Sequence, residues 1–204
     1  MLIILLSALS TLLSNLETKT LQSDISFTVQ EQGQAALTSP GKVTMQGVCF
    51  MGSARGYEVA YDGSTFYFYD PDANELTLTR PTEDELMMTN PLLYARYLSH
   101  NGTVRETTNK DGTVTTVTIT PDSPTHQLTD SPSNELSRIT VKIKDNKPLS
   151  VELKALKRTV SIRFKNPQYI NSTIQQCASA QQQLPSGERP FTISKDGSYI
   201  NDLR

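Results

Sequence analysis

The chain has 204 residues and a net charge of −2, so its length fits a single domain, residues 1–204, with a sizeable core. The balanced charge gives no support to a nucleic-acid partner. Residues 1–102 carry a net charge of −6 and residues 103–204 carry +4. This asymmetry predicts either two solvent-exposed faces that differ in charge or docking surfaces of opposite charge for different partners.

The first sixteen residues combine leucines at helical spacing with the apolar character of a targeting segment. The segment has no basic n-region and is too short to span a bilayer. The periodicity therefore favours an amphipathic N-terminal helix that packs on the domain, with a leader remnant as the alternative. The residues at this spacing are Leu2, Leu5, Leu6, Leu9, Leu12, Leu13 and Leu16.

Alternating apolar and polar residues predict a first strand over Ile25–Glu31. Gln32–Gln34 predicts a turn after it, and the turn residues of Thr38–Gly41 predict a second loop. In the strand expected next, Val43 and Met45 share a face, and Gly47 interrupts the alternation before Phe50. A glycine in this position predicts a bulge or a sharp bend.

Asp62-Gly63 is the strongest hairpin signal in the chain, since a two-residue type I′ turn needs positive φ at both central positions. The aromatic and β-branched residues of Tyr57–Tyr61 and Ser64–Tyr69 predict its two strands, and Leu76–Arg80 predicts a third. The capping box at Thr82–Glu85 then predicts a short helix that carries Leu86, Met87 and Met88.

The second half begins with a helix at Asn90-Pro91, because proline is favoured at the first helical position. Alternating strands follow, and the clearest form an antiparallel meander with one solvated, basic face. A long polar loop is predicted over Pro121–Ser133, and a short helix over Asn171–Gln183. The remaining predicted strands are Thr103–Thr108, Thr113–Thr120, Ile139–Ile143, Leu149–Ala155, Val160–Phe164 and Phe191–Ile193.

The sequence contains no pattern of residues typical of an enzyme or of a cofactor or metal site. His100 and His126 lack a second ligand at metal spacing, and Glu83–Glu85 are explained by helix capping. Cys49 and Cys177 are consistent either with one disulfide or with a buried thiol at Cys49, and the strand pattern favours the second. We therefore expect neither catalysis nor a cofactor.

Apolar and aromatic residues are concentrated in residues 43–98, which predicts either an ordinary core or a cavity for an apolar ligand. Rings on both faces of one strand and the adjacent methionines of a short helix favour the cavity. The pattern does not decide which of two adjacent side chains in a strand faces the cavity, because a shift of one residue exchanges the two faces of the strand. The candidate ligand-binding residues are Met45, Phe50, Val59, Tyr61, Phe66, Phe68, Leu76, Leu78, Met87 and Leu92.

The segments VTMQG, YDGST and ELTLTRPTEDELMMTNP resemble the periplasmic outer-membrane lipoprotein carrier family, LolA. The resemblance implies a mainly β (α+β) fold, a strongly curved and unclosed antiparallel β-barrel with an N-terminal helix and short helices over its concave face. It also implies a monomeric periplasmic carrier that shields lipoprotein acyl chains between the inner and outer membranes. The implied partners are lipoproteins, an inner-membrane ABC exporter, and an outer-membrane acceptor or the membrane itself.

One feature departs from the family pattern. Better-known members carry an arginine on a strand between the MQG-like segment and the Asp-Gly hairpin, where it holds the helices closed. Here that connection is shorter and Arg55 lies in a turn beside Gly56, so the resemblance does not transfer this role. Two other functions fit the same pattern, namely a periplasmic binder of free lipid or glycolipid and an all-β surface module with a packed core.

Overall fold

The computed structural model describes residues 7–82, 90–122, 136–170 and 199–203. One sheet of twelve strands contains every described strand, in the order β12-β6-β5-β4-β3-β2-β1-β11-β10-β9-β8-β7. All neighbours are antiparallel except β12 and β6, and the edge strands β7 and β12 are not paired with each other. This is the predicted mainly β, unclosed architecture.

The strands and helices have the following bounds. The first six strands are β1 Thr20–Glu31, β2 Leu37–Gln46, β3 Cys49–Ala54, β4 Tyr57–Tyr61, β5 Phe66–Asp70 and β6 Glu75–Thr79. The other six are β7 Gly102–Thr108, β8 Thr115–Pro121, β9 Leu136–Lys144, β10 Lys147–Ala155, β11 Arg158–Ile170 and β12 Tyr199–Asp202. The helices are α1 Ala8–Thr18, which precedes β1, and α2 Pro91–His100, which lies between β6 and β7.

Helix α1 forms as the leucine spacing predicts. The hydroxyl of Ser7 accepts a hydrogen bond from Ser10 N at 3.1 Å and caps the helix. The carboxylate of Glu106 on β7 accepts bonds from Ala8 N and Leu9 N, where it also offsets the positive end of the helix dipole. The buried leucines of α1 face the sheet, and they are Leu9, Leu12 and Leu16.

Helix α2 begins where Asn90-Pro91 predicts. The side chain of Asn90 accepts a hydrogen bond from Leu93 N at 3.3 Å, and Pro91 occupies the first turn. The residues of α2 that pack into the core are Leu92, Tyr94, Ala95 and Leu98.

We call the sheet face that contacts α1 and α2 the inner face. The core lies between these helices and the alternating residues of β8–β11 and β1, of which Val117, Ile139, Val141 and Val151 are almost fully buried. Phe50 of β3 and Val151 of β10 border the same small cavity although four strand spacings separate them. A flat sheet would place them about 19 Å apart. The sheet is therefore strongly curved around the helices.

The predicted loop at Thr38–Gly41 is wrong, since these residues belong to β2. Pro40 is tolerated because β3 ends at Ala54, opposite Gly41, and so offers Pro40 no strand partner on that side. The hydroxyls of Thr28 and Thr38, 2.9 Å apart, join β1 to β2 in this stretch. The chain turns at residues 32–36, where Gln32–Gln34 predicts a turn.

The sequence predicts a bulge or a sharp bend at Gly47, and the structure has a sharp turn there, between β2 and β3, instead of a bulge. Gln46 pairs with Cys49, which leaves a two-residue turn, and Gly47 has φ +57°. The Asp62-Gly63 hairpin forms as predicted, but its loop has four residues because Tyr61 pairs with Phe66. Of these turn positions, Gly63 has positive φ and Asp62 does not.

Several predictions lie outside the described residues. They include the capping-box helix with Met87, the short helix over Asn171–Gln183 and the strand over Phe191–Ile193. The tail that follows contains a strand that the sequence pattern did not predict, since β12 runs parallel to β6 with Tyr199 opposite Glu75.

Cys49 is buried on β3 and is disulfide-bonded. This outcome corrects the favoured interpretation of Cys49 as a free buried thiol. The chain contains one other cysteine, Cys177, which lies outside the described residues.

Tyr169 on β11 should make folding stability fall at high pH. Burial raises its pKa to about 12, and its hydroxyl donates a hydrogen bond to the carbonyl oxygen of Asn146 at 3.0 Å. Between pH 10 and 12 the unfolded chain loses this proton while the folded chain keeps it, so the free energy of unfolding decreases. Because the side chain is partly exposed and solvent screens it, we expect about 1–2 kcal/mol, less than a fully buried group would give. Urea denaturation across this range should show the decrease in the wild type and a smaller one in Tyr169→Phe. An equal decrease in both would contradict this assignment.

Candidate functional site

Two rows of apolar side chains cross the inner face of β2–β5. Met45, Phe50, Tyr61 and Phe66 stand directly opposite one another in the register, so their side chains point to the same face. The next row contains Val43, Gly52, Val59 and Phe68. The strand alternation and the register therefore place a continuous apolar surface beside α2.

The two rows differ in burial. Met45, Phe50 and Tyr61 are buried in the same cluster as Leu92 of α2, whereas Phe66 at the end of their row is only partly buried. Val43, Val59 and Phe68 of the second row are also partly exposed. The apolar surface thus continues beyond the part that α2 covers.

Aromatic rings extend this surface along β4 and β5. The ring centroid of Phe50 lies 6.1 Å from that of Tyr61 and 6.4 Å from that of Phe66. At the other end of β4, Tyr57 stacks on Phe68 with centroids 5.0 Å apart. Such contacts hold the rings in place while leaving apolar area available.

A cavity of about 30 Å³ lies between the first turn of α2 and the curved sheet. A smaller gap of about 10 Å³ lies on the other side of Leu92, against α1. The N-terminal turn of α2 is therefore less tightly packed than protein interiors usually are. The residues that line the larger cavity are Val43, Met45, Phe50, Asn90, Pro91, Leu92, Val151, Ile162 and Phe164.

A wider, open depression of about 260 Å³ lies against β2–β4 around Gly52. Its lining is mixed, since Val43 and Val59 of the inner face are joined by polar residues of the opposite face such as Lys42 and Glu58. Because a site for an apolar chain needs an apolar lining, the cavity under α2 is the better candidate.

The structure brings together most of the candidate residues predicted from the sequence. Met45, Phe50, Val59, Tyr61, Phe66 and Phe68 share the inner face with Leu92. Leu76 and Leu78 lie on the opposite face, opposite Tyr69 and Tyr67, in a separate buried cluster. They therefore do not line this surface. The prediction failed because the alternation in β6 shows that Leu76 and Leu78 share a face but not which face of the sheet it is. Met87 lies outside the described residues.

Sequence reasoning missed several residues of the site. Val43 and Tyr57 lie on the inner face by strand alternation, so that signal could have found them. Val151, Ile162 and Phe164 come from the meander, and only the curvature of the sheet brings them to the cavity. No local pattern in the sequence carries this information.

The ionisable groups at the site are few. Burial, and secondarily the negative charge of Asp62, raise the pKa of Tyr61. The carboxylate of Asp62 accepts hydrogen bonds from Thr65 N at 2.8 Å and from the hydroxyl of Tyr67 at 2.9 Å, and so fixes the loop below the site. Within residues 7–82, 90–122, 136–170 and 199–203, no three His, Cys, Asp or Glu side chains are grouped to hold a metal ion.

Comparison with solved structures shows that this fold occurs in another protein. An uncharacterized conserved protein from Thermus thermophilus matches over 96% of both chains, with a TM-score of 0.51 and 10% sequence identity. No protein-family model and no curated protein matches the sequence.

Two further structures match less closely. A LolA superfamily protein from Nitrosomonas europaea covers 83% of this chain and 96% of its own, with a TM-score of 0.38 and 9% identity. The lipoprotein LppX from Mycobacterium tuberculosis covers 81% and 96%, with a TM-score of 0.42 and 11% identity. A LolA superfamily protein is among the solved structures to which this chain is similar.

None of the helices in the described part of the chain is both long and apolar enough to cross a membrane.

Proposed function

We propose that this protein is a periplasmic carrier that binds the acyl chains of lipoproteins on its inner face and moves them from the inner to the outer membrane. The observation that carries the proposal is the partly exposed apolar tract of Val43, Val59, Phe66 and Phe68 beside the cavity under α2. Soluble proteins rarely leave contiguous apolar surface exposed without a binding role. The LolA-like motifs of the sequence support the acyl chain as the ligand.

The size of the cavity sets a condition on binding. A cavity of about 30 Å³ has room for a water molecule and is far smaller than an acyl chain. Binding therefore requires the first turn of α2 to move away from Met45 and Phe50, so that the chain lies between helix and sheet. Each methylene that leaves water contributes about 0.8 kcal/mol, which offsets the loss of these contacts after several methylenes.

Both small cavities border the N-terminal part of α2, and this favours opening at that end. Tyr94, Ala95 and Leu98 are almost fully buried in the core. Toward α1, the ion pair between Arg96 and Glu17 at 2.7 Å is half exposed, and such pairs contribute at most about 1 kcal/mol. Leu92, between the two cavities, is the side chain that an incoming acyl chain would replace.

The proposed cycle needs partners on both membranes. We propose that an inner-membrane ABC exporter loads the lipoprotein and that an outer-membrane acceptor, or the membrane itself, receives it. Release requires a competing apolar site, because the burial that stabilises the complex must be matched elsewhere.

The first test is uptake of an apolar fluorescent probe by the folded protein and its displacement by a triacylated peptide. Val59→Asn should weaken probe binding about tenfold, because it places a polar group in the apolar tract. The matched control is Val104→Asn, an exposed valine on the edge strand β7, eight strand positions from β4 in the sheet, which should leave the affinity unchanged. No uptake by the native protein, or equal effects of the two variants, would contradict the proposal.

The cargo is tested separately from the site. The protein is recovered from the periplasm, and its bound apolar molecules are identified by mass spectrometry. Triacylated peptides are the expected cargo. Free lipids or glycolipids without acylated peptides would support the alternative binder on the same fold and would contradict lipoprotein transport.

A further inference from the structure

Two neighbouring turns at one end of the sheet form a single hydrogen-bonded unit. The turn between β1 and β2 covers residues 32–36, and the turn between β10 and β11 covers residues 156–157. Gln32 N donates a hydrogen bond to the carbonyl oxygen of Lys157 at 2.7 Å, and Arg158 forms an ion pair with Glu31 at 3.1 Å. We call this unit, residues 31–37 and 154–158, the paired turns.

The paired turns expose two leucines. The exposed fraction is 58% for Leu37 and 66% for Leu156, whereas Val29, which pairs with Leu37 on β1, and Ala155 are buried. Residues 32–36 around the first turn are all exposed, and they include Ala35 and Ala36. Two large apolar side chains are therefore offered to the solvent by turns that hydrogen bonds hold together.

Cations flank Leu156 in the chain. Lys154 and Lys157 are exposed, and no described residue forms an ion pair with either. Arg138 lies opposite Lys154 in the register and is 4.0 Å from Glu152. The one acidic residue within the paired turns is Glu31, whose charge Arg158 balances.

Among the described residues, the other acidic groups at this end of the sheet belong to nearby strands and turns. Glu152 lies on β10, two residues before Lys154, and Glu58 lies on β4, two strand positions from β2. Asp122 follows β8, two positions from β10, and Asp70 and Asp72 lie at the β5–β6 turn, three positions from β2. Within the paired turns, the three cations Lys154, Lys157 and Arg158 outnumber the one carboxylate of Glu31, so the paired turns carry a net positive charge.

We propose that the paired turns dock the protein on an anionic lipid surface. Leu37 and Leu156 insert shallowly among the acyl chains, and Lys154 and Lys157 remain at the level of the negatively charged head groups. Amphipathic surfaces that combine a few apolar residues with cations bind membranes in this reversible way. The inference goes beyond the proposed carrier function, because it concerns the membrane itself and does not depend on a bound acyl chain.

A lipid surface fits this patch better than an acidic protein does. Stable protein interfaces usually have a large centre built around buried aromatic or arginine anchors. The paired turns expose two leucines and two alanines, with no aromatic side chain among them. Shallow insertion requires only a few exposed apolar side chains, and Leu37 and Leu156 are mostly exposed.

The test is co-sedimentation of the full chain with phosphatidylcholine vesicles, with and without phosphatidylglycerol. The wild type should bind the anionic vesicles more tightly than the neutral ones, and added salt should weaken this binding. Leu37→Gln with Leu156→Gln should weaken binding to anionic vesicles at least tenfold. Lys154→Gln or Lys157→Gln should each weaken it about fivefold, with little effect on neutral vesicles.

The matched control is Leu203→Gln. Leu203 is 61% exposed but follows β12 at the opposite end of the sheet, so its substitution should leave vesicle binding unchanged. Probe uptake on the inner face should survive in the double leucine variant, which shows that it folds and separates this test from that of the carrier function. No binding of the wild type to anionic vesicles, or an equal loss in Leu203→Gln, would overturn the proposal. The proposal would also be overturned if the double leucine variant bound anionic vesicles as tightly as the wild type, or if the wild type bound an acidic protein but no vesicles.

Discussion

Asp62→Ala should destabilise the protein by about 2–4 kcal/mol. The buried carboxylate of Asp62 accepts hydrogen bonds from Ser64 N and Thr65 N, both at 2.8 Å, and from the hydroxyls of Ser64 and Tyr67. Its removal leaves a buried tyrosine hydroxyl and two backbone amides without this acceptor. Urea denaturation of the two proteins measures the difference in the free energy of unfolding.

The matched control is Asp111→Ala in the exposed turn between β7 and β8. Asp111 accepts the same kinds of bond, from Thr113 N at 3.0 Å and from the Thr113 hydroxyl at 2.7 Å, and these hydrogen bonds lower its pKa. Water replaces them readily there, so this variant should unfold at nearly the same urea concentration as the wild type. Equal losses in the two variants would show that burial at Asp62 is not the cause.

Gly41→Ala should destabilise the protein by about 3 kcal/mol or more. A Cβ atom at Gly41 would overlap the backbone carbonyl oxygen of Ser53 on β3. Since neither atom belongs to a flexible side chain, the two strands must separate or slip. We expect a lower midpoint of denaturation and weaker protection of the amides in β2 and β3 from hydrogen exchange.

Gly47→Ala separates this clash from the general cost of replacing a glycine. Gly47 has φ +57°, and a Cβ atom added there would meet no atom within 4 Å. Alanine at this position should therefore cost about 1 kcal/mol from backbone conformation alone. The expected order of stability is wild type, Gly47→Ala, Gly41→Ala. A Gly41 variant as stable as the Gly47 variant would contradict the close approach of β2 and β3.

The sequence predicts the strands well where one face is buried and the other is solvated. Ile139, Val141 and Ile143 alternate with Thr140 and Lys142, and the structure places them in β9 with the apolar members on the inner face. Helix starts are predictable for a similar reason, because Asn90-Pro91 satisfies a local requirement of the first turn. Each of these signals lies within a few residues of the feature it predicts.

The errors occur where distant parts of the chain decide the structure. Pro40-Gly41 is typical of a loop. Here, however, β3 ends opposite Gly41 and does not reach Pro40, and the backbone of β3 packs closely on Gly41. The strand β12 forms because Tyr199–Asp202 meets β6 at the far edge of the sheet, which no local pattern indicates. In both cases the pairing partner determines the conformation.

The candidate site was also predictable only as far as local patterns determine it. Alternation correctly groups Phe66 with Phe68 and Leu76 with Leu78, but it does not say which pair faces the helices. Part of the cavity lining consists of Val151, Ile162 and Phe164, which lie in the second half of the chain and which the curvature of the sheet brings to α2. The sequence therefore predicts an apolar surface, and the fold determines which residues form it.

The central claim is that acyl chains bind on the inner face, and a tryptophan placed on one face or the other tests it most directly. The chain contains no tryptophan, so a single introduced one is the only indole. Phe68→Trp places it on the inner face, and Glu58→Trp places it on the opposite face, on the neighbouring strand. Addition of a triacylated peptide with brominated acyl chains should strongly quench the fluorescence at position 68 and leave position 58 almost unchanged, because bromine quenches on contact. Equal quenching at both positions, or quenching at position 58 alone, would contradict binding on the inner face.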